Sequence, residues 1–519
     1  MAEALGRFAG RPTHLLDLDD AASDIRQALA LLLRQWCAAA PTADALVLET
    51  GVMCRQELAD SALDLQRQLQ ALLGRRRCSV AVHLGNHPLN LALGLALFGS
   101  GHCQLVLPTH AAAAEWARLL AATPCQLLIS DQEGFPLADQ PALLLGRLAA
   151  EPALSVWGLK PGEWAGDNSG DAGRVRLTDA AFITHSSGTT TGLPAPNVSP
   201  FLLPLSYALS GPDWVYFTPR RLVEASFQFS APRMQLLTHL LAGAALCLYS
   251  RQDQARLGTL YGAMAATRLH LFVPGLRRHL CGTGPRSFPA GARFLTGTDR
   301  VPQALRQQVV ACYPGSLAIV YSTSQLGAIT LLPEERLLEV EESVGWTLGD
   351  VAISPVQAGA DLHQAFEVAV DKQWPIPYRT PDGRECVHVH RRQGCRTGDM
   401  LRLDPGGQMV FCGRADDVFL FRGVLIYPLE LEAALEASDA VEEAVVFGAL
   451  SERYGAVPMA VVTLREGVDP EQTCRALMRQ SKQLFGFRGL YAVHAEAEIP
   501  RGIGQKPLRR LLAERYRLP

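Results

Sequence analysis

Thr184-His185-Ser186-Ser187-Gly188-Thr189-Thr190-Thr191-Gly192-Leu193-Pro194 is the stretch on which the fold turns. It follows a short apolar run, Ala180 to Ile183, with the character of a strand. Five hydroxyl side chains and two glycines fall within the seven residues from Ser186 to Gly192. Glycine lets the backbone turn successive N–H groups towards one point. Those groups and the hydroxyls make a donor-rich cradle for phosphate oxygens. The same composition also describes a plain surface loop, and the segment alone does not choose between them. No Gly-Lys-Ser/Thr follows, so it is not a Walker loop. His185 and Ser186 are not a base–nucleophile pair, because neighbours on a strand point to opposite faces.

Outward from this segment, helical patterns alternate with short β-rich runs. Ser79 to Leu84 reads as a strand, Ala111 to Ala121 as a helix and Gln126 to Ser130 as the next strand. Such alternation predicts α/β layers. Asp404-Pro405-Gly406-Gly407 is a turn by composition. The strand Gln408 to Cys412 and then Gly413-Arg414-Ala415-Asp416-Asp417 follow it. The chain then restarts with a smaller pattern. Pro428 to Ala437 and Glu471 to Leu484 read as helices, Val441 to Phe447 and Met459 to Leu464 as strands. A boundary near Asp416 divides residues 1–415 from residues 416–519.

Composition narrows the function. The 519 residues exceed what one hydrophobic core serves, so two domains or more are expected. The chain is 48% hydrophobic and 19% charged, ordinary for a soluble protein. A net charge of −3 gives no electrostatic reason to expect nucleic acid or an anionic membrane as partner. Met1 to Asp20 lacks a basic segment followed by an apolar run, so no signal peptide is expected. Leu89 to Leu107 is interrupted by Gly94, Gly99, Gly101 and His102 and reads as a buried core element, not a membrane span. The 12 cysteines are scattered without a Cys-x-x-Cys pair, which predicts reduced, buried thiols in a cytoplasmic protein.

Four further segments lie in order downstream. They are Tyr321-Ser322-Thr323-Ser324-Gln325, Arg396-Thr397-Gly398-Asp399, Gly413 to Asp417, and Pro500 to Arg510 with Lys506. With the hydroxyl-rich loop they resemble, in order and spacing, the motifs of the ANL superfamily of adenylating enzymes. That superfamily comprises acyl-CoA synthetases, peptide-synthetase adenylation domains and luciferases. The resemblance spans Ala180 to Arg510 and is weaker upstream. It implies an α/β fold with a large, multi-subdomain N-terminal adenylating domain and a small, mobile α+β C-terminal domain.

The resemblance also implies roles. Ser187, Gly188, Thr189, Thr190, Thr191 and Gly192 would hold phosphates, with Thr191 an insertion. Gly297, Tyr321, Asp399 and Arg414 would complete the ATP/AMP site. A carboxylate such as Asp399 can accept from both ribose hydroxyls, although a turn aspartate after Gly398 would look the same. Arg414 offers a planar donor fork, or equally a surface ion pair. Lys506 stands among Arg501, Arg509 and Arg510, which alone would read as a solvated basic end. The resemblance instead makes it the catalytic cation, neutralising charge at the reacting carboxylate and α-phosphate, with Ser324 and Gln325 also at the centre of the chemistry. Asp416 would be the hinge. Ser226, Phe227, Phe229 and Ser230 would line the acyl pocket. The position where amino-acid-activating members carry an aspartate falls on Ser230. A hydroxyl cannot offset the desolvation of an ammonium, so an acyl or aryl acid is expected rather than an α-amino acid.

Three departures stand out. The family's phosphate-loop lysine falls on Ala195, its Mg²⁺ glutamate on Gln325 and its Tyr-Gly glycine on Ser322. A neutral amide is a weaker ligand for a hard cation, so Gln325 is only a weak Mg²⁺ candidate. Two functions are therefore expected in competition. One is an active acid–thiol ligase using ATP, Mg²⁺ and CoA or the phosphopantetheine of a carrier protein. The other is a weakened relative that binds nucleotide or acyl-CoA as a partner or regulator. A hydrolase built on Ser186 lacks a Gly-x-Ser-x-Gly elbow. Cys386, His388 and His390 on one strand face, followed by Cys395, read either as a zinc set, though at no standard zinc spacing, or as the plain strand that the resemblance implies there.

Overall fold

The computed structural model describes residues 30, 33–34, 36–38, 40–74, 76–107, 113–123, 125–132, 142–159, 181–185, 196–200, 218–223, 236–237, 239–240, 242–249, 256–280, 287–297, 299–323, 326–348, 351–379, 385–501 and 506–518. At 113–115, 122, 181–182, 184–185, 196–200, 373–379 and 385–393 the description covers the backbone alone.

Among these residues two large sheets face each other across a helical layer. In one, Leu127–Ser130, Ser79–His83, Cys103–Val106 and Ala181–His185 run parallel at the centre of seven strands. In the other, Leu317–Thr323, Phe294–Thr296, Arg268–His270, Arg220–Val223, Ala245–Leu248 and Asp44–Leu48 form a parallel block. An antiparallel extension, Gly327–Leu332, Ser343–Thr347, Met409–Arg414, Glu385–Leu403, Phe366–Arg379 and Val351–Pro355, continues from its edge.

Helices Arg55–Leu73 and Pro88–Gly99 fill the space between the sheets. Leu58, Leu65, Leu91 and Leu95 share one core with Val80 and Ile129 of one sheet and Leu46 and Leu248 of the other. From Leu89 to Gly99 every residue of the second helix is buried, as expected of a helix apolar all round. Pro88 opens that helix where its missing N–H is no loss, and His87 Nδ1 accepts from the Leu89 N–H at 3.1 Å. The apolar stretch from Leu89 thus becomes a buried helix and then the strand Cys103–Val106. No helix among the described residues is long and apolar enough to cross a membrane.

Helix Ala113–Ala122 covers the outer face of the smaller sheet through Trp116 and Leu119. Helices Leu257–Ala263, Val273–Leu280 and Gln303–Cys312 cover the outer face of the larger. After Arg414 a short turn, Ala415–Asp417, leads into a second unit with its own core. It holds the hairpin Phe419–Phe421/Val424–Ile426, the sheet Val441–Ser451, Gly455–Leu464 and Ala492–Ala495, and helices Pro428–Glu436, Pro470–Phe485 and Arg509–Arg515. The fold is a mixed α/β architecture with a large N-terminal and a small C-terminal domain. The ten described cysteines are all free thiols.

His102, 2% exposed, joins two strands of the smaller sheet. Its Nδ1 accepts from the Cys78 N–H at 3.1 Å. Burial, with the nearby Arg77 charge, lowers its pKa to about 4. The unfolded chain takes up a proton near pH 6.5 that the folded chain refuses until about pH 4. The stability this group contributes is therefore complete above pH 6.5. It is lost as pH falls towards 4, at about 1.4 kcal/mol per pH unit. Thermal midpoints are expected to drop between pH 7 and pH 5. His102→Asn, which keeps an acceptor and removes the titration, should show a smaller drop; an equal drop would remove His102 from the account.

Candidate nucleotide site

The centre of the site is Asp399, 6% exposed on the strand Glu385–Leu403. Its Oδ2 accepts from the Tyr321 hydroxyl at 2.7 Å, and its Oδ1 from Arg414 Nη1 at 2.9 Å. Register makes this meeting. Asp399 and Arg414 are direct cross-strand partners. Tyr321 lies near the carboxyl end of the last strand of the parallel block. The Asp399 N–H donates to Thr397 Oγ1 at 3.1 Å, and the Thr397 carbonyl accepts from Arg414 Nη1 at 3.4 Å. Between them Gly398 has φ +72, and a Cβ there would lie 2.9 Å from Arg414 Nη2. Only glycine fits that conformation and that approach without strain.

Electrostatics follows from burial. Burial and the Asp399 charge raise the Tyr321 hydroxyl well above its usual pKa, so it stays a donor. Burial alone would depress Arg414, but the carboxylates of Asp399, Asp416 and Asp417 outweigh it and hold the cation firmly. An ionised carboxylate has about four lone-pair sites. Tyr321 and Arg414 use one on each oxygen, so each oxygen of Asp399 keeps acceptor capacity. A vicinal diol is the group that two adjacent acceptors match.

Gly297 follows the neighbouring strand, Phe294–Thr296, at its carboxyl end. A Cβ on it would sit 2.1 Å from the Val320 carbonyl oxygen, so the two backbones touch there. Ser322 stands where a glycine was expected, and the ladder to Gly327–Leu332 slips its register between Tyr321 and Ser322. Ser322 takes no left-handed backbone angle. Ser324 and Gln325 lie outside the described residues. The chain on either side is pinned where Thr323 Oγ1 accepts from the Leu326 N–H at 3.2 Å.

Arg414 Nη2 also reaches Asp416 Oδ2 at 3.3 Å. Tyr321, Asp399, Arg414 and Asp416 are thus joined by hydrogen bonds, with Gly297 one strand away. Lys506 is half-buried on the returning arm of a small loop, closed by the Arg501–Pro507 bridge and by the Leu508 N–H to Pro500 carbonyl bond at 2.9 Å. It makes no hydrogen bond or ion pair with the other four.

The expected phosphate segment, with Ser187, Gly188, Thr189, Thr190, Thr191, Gly192 and Ala195, lies outside the described residues. So do Ser226, Phe227, Phe229 and Ser230. His185 and Pro196 are register partners at the two ends of the phosphate segment, so it departs from and returns to one place. Cys386, His388 and His390 fall on a strand as expected, with their side chains beyond the description. Among the described residues no three His, Cys, Asp or Glu side chains gather as a metal site. The charged residues between the two domains, Arg300, Glu342, Glu432 and Glu436, carried no sequence signal.

The arrangement is that of an α/β nucleotide-binding protein in two domains. The family model described as AMP-binding enzyme matches residues 33–359, and that of the AMP-binding enzyme C-terminal domain matches 430–499. The chain belongs to the AMP-binding enzyme family. It is similar to a 2-succinylbenzoate–CoA ligase of Geobacillus kaustophilus, 37% identical over 251 residues, which is 46% of this chain and 49% of the relative. It is also similar to the fatty acid–[acyl-carrier-protein] ligase ScoC of Streptomyces coeruleorubidus, 25% identical over 47% of this chain and 49% of the relative. These matches span about half the length of the relatives. The structure of O-succinylbenzoate coenzyme A synthetase from Bacillus subtilis in complex with AMP superposes with a TM-score of 0.72, covering 93% of this chain and 98% of that one at 20% identity. The two share a fold.

Gly297→Ala should separate the two strand ends by forcing a methyl group against the Val320 carbonyl. A lowered thermal midpoint and weakened AMP binding by calorimetry are expected. Gly262→Ala, whose Cβ would meet nothing within 4 Å, is the tolerated control. Wild-type AMP affinity in Gly297→Ala would detach this backbone contact from the site.

Proposed function

We propose that the chain activates a carboxylic acid with ATP as an acyl-AMP and passes the acyl group to a thiol, that of CoA or of a carrier protein's phosphopantetheine. The observation that carries this is the buried Asp399 carboxylate, held by Tyr321 and Arg414 with an acceptor site spare on each oxygen. That geometry suits the ribose diol of a nucleotide. In the first half-reaction a carboxylate oxygen attacks the α-phosphorus and the bond to pyrophosphate breaks. In the second the thiol sulfur attacks the acyl carbonyl, its proton goes to solvent and AMP leaves.

Asp399 orients the ribose, and Arg414 holds Asp399 in place. Ser187, Gly188, Thr189, Thr190, Thr191 and Gly192 hold the phosphates, and Gly297 permits close approach beside them. Lys506 neutralises charge building between the carboxylate and the α-phosphate. Ser324 and Gln325 stand next to the phosphates, and Gln325 is the weak Mg²⁺ contact. Ser226, Phe227, Phe229 and Ser230 line the acid's pocket, where the uncharged Ser230 selects an acyl or aryl acid. The names of the two ligase relatives agree with that class. The large domain is 1–415 and the small one 416–519, with rotation about Asp416 bringing Lys506 in for the first half-reaction and out for the second. The protein acts in the cytoplasm. A second reading, a weakened relative that binds nucleotide or acyl-CoA as a regulator, is favoured by Ala195 and Gln325, which remove two charges expected near the triphosphate.

Pyrophosphate exchange into ATP is the deciding assay. Exchange that depends on a fatty or aryl acid is expected, and Lys506→Ala should lower it by about 100-fold or more. Thioester formation from supplied acyl-AMP should survive in that variant. Nucleotide binding without exchange, over a broad panel of acids, would establish the second reading. A separate measurement concerns Gln325. Gln325→Glu should lower the Mg²⁺ concentration for half-maximal exchange, since a carboxylate binds the hard cation more tightly. An unchanged Mg²⁺ dependence would place the metal elsewhere.

A further inference from the structure

Arg300 belongs to the large domain and lies where the two domains meet. Its Nε and Nη2 donate to Glu342 Oε2 at 3.0 Å and Oε1 at 2.8 Å, a two-point pair within its own domain. Its remaining arm, Nη1, crosses to the small domain. There it donates to Glu436 Oε2 at 2.8 Å and approaches Glu432 Oε2 at 4.0 Å. The two glutamates lie one turn apart on helix Pro428–Glu436. Side chains of all four are 10% exposed or less. The large domain commits backbone strain to this point, because Glu342 has φ 56, a left-handed conformation unusual for a residue with a side chain.

The contact is unequal in a telling way. With the domains apart, Arg300 keeps Glu342. Glu432 keeps Arg509, whose Nη2 lies 2.8 Å from its Oε1, and the Val446 N–H at 2.8 Å. Glu436 keeps the Ala444 N–H at 3.3 Å and loses the cation. Each domain therefore neutralises most of its own interface, and a single charge pair depends on docking. A fully shared network would weld the domains, since a buried charge stripped of its partner is heavily penalised. This one resists separation through the Arg300–Glu436 pair, beside the hydrogen bond that Arg277 Nη1 donates across the interface to the Glu442 carbonyl oxygen.

We propose that Arg300 and Glu436 form a releasable latch that holds the small domain in the orientation seen here, which makes both of them positioning residues for one of the two half-reactions. The second clause rests on the two-step reaction proposed above; the first does not. Arg509 extends the latch, because its Nε donates to Asp417 at 3.1 Å in the turn where the domains join.

The test reads orientation directly. Spin labels are placed through an unnatural amino acid at Leu338 on the large domain and Leu484 on the small one, both exposed. Pulsed dipolar spectroscopy then measures their separation without acid, nucleotide or thiol. Glu436→Gln keeps the shape and removes the charge. It should reduce the ratio of the wild-type distance to all others by about five- to tenfold, the effect of losing one such contact. Arg300→Lys keeps the charge, loses the fork, and should shift the ratio the same way. Glu471→Gln, on an exposed helix pair within the small domain, should leave it unchanged. If Glu436→Gln lowers the thermal midpoint, Arg300→Lys decides. A wild-type distribution in Arg300→Lys and in a folded Glu436→Gln overturns the latch. In half-reaction assays one rate should fall while the other holds or rises; equal slowing of both overturns the positioning role. Absence of any exchange activity would count against the proposed reaction and leave the distance result standing.

Discussion

A carboxylate taken out of water must be compensated where it sits, and Asp399 is the place where this structure meets that demand. Tyr321 and Arg414 come from two other strands, so one buried charge ties together Leu317–Thr323, Glu385–Leu403 and Met409–Arg414. Removing either partner would leave the charge under-compensated. The charge thus fixes the junction between the parallel block and the antiparallel extension. It also fixes Arg414, the last strand residue before the chain turns into the small domain.

From Arg414 the charges continue in alternation. Arg414 reaches Asp416, and Asp417 takes Arg509, which faces Glu432, which lies near Arg300. Two chains of opposite charges therefore end on adjacent residues of a single turn, one from the candidate ribose site and one from the contact between domains. A change at either end alters the field on the same short segment.

The sequence was legible where pattern is local. The period-2 strands and the 3.6-period helices fell close to their expected places, as with Ser79–His83, Ala113–Ala122 and Pro470–Phe485. Tyr321, Asp399 and Arg414 were found through short motifs, and their meeting in space follows from strand register. Ser322 read as a departure, and the strand ladder slips its register beside it. The charged contact between domains was not legible. Arg300, Glu342 and Glu436 are isolated charges in unrelated segments, and only tertiary packing distinguishes them from solvated surface. Glu342 is the clearest case, because its left-handed backbone would lead one to look for a glycine.

The helix Pro88–Gly99 belongs to neither large sheet alone, since its leucines lie in one core with residues of both. Neither sheet can come apart without exposing that helix on at least one side. The large domain is therefore built to lose its structure in one cooperative step. The small domain has a separate core of Val446, Ala460, Leu477 and Leu490 and owes nothing to that helix. On heating, the molecule should behave as two calorimetric units of unequal size, and an intact small domain could persist beside a molten large one, or the reverse.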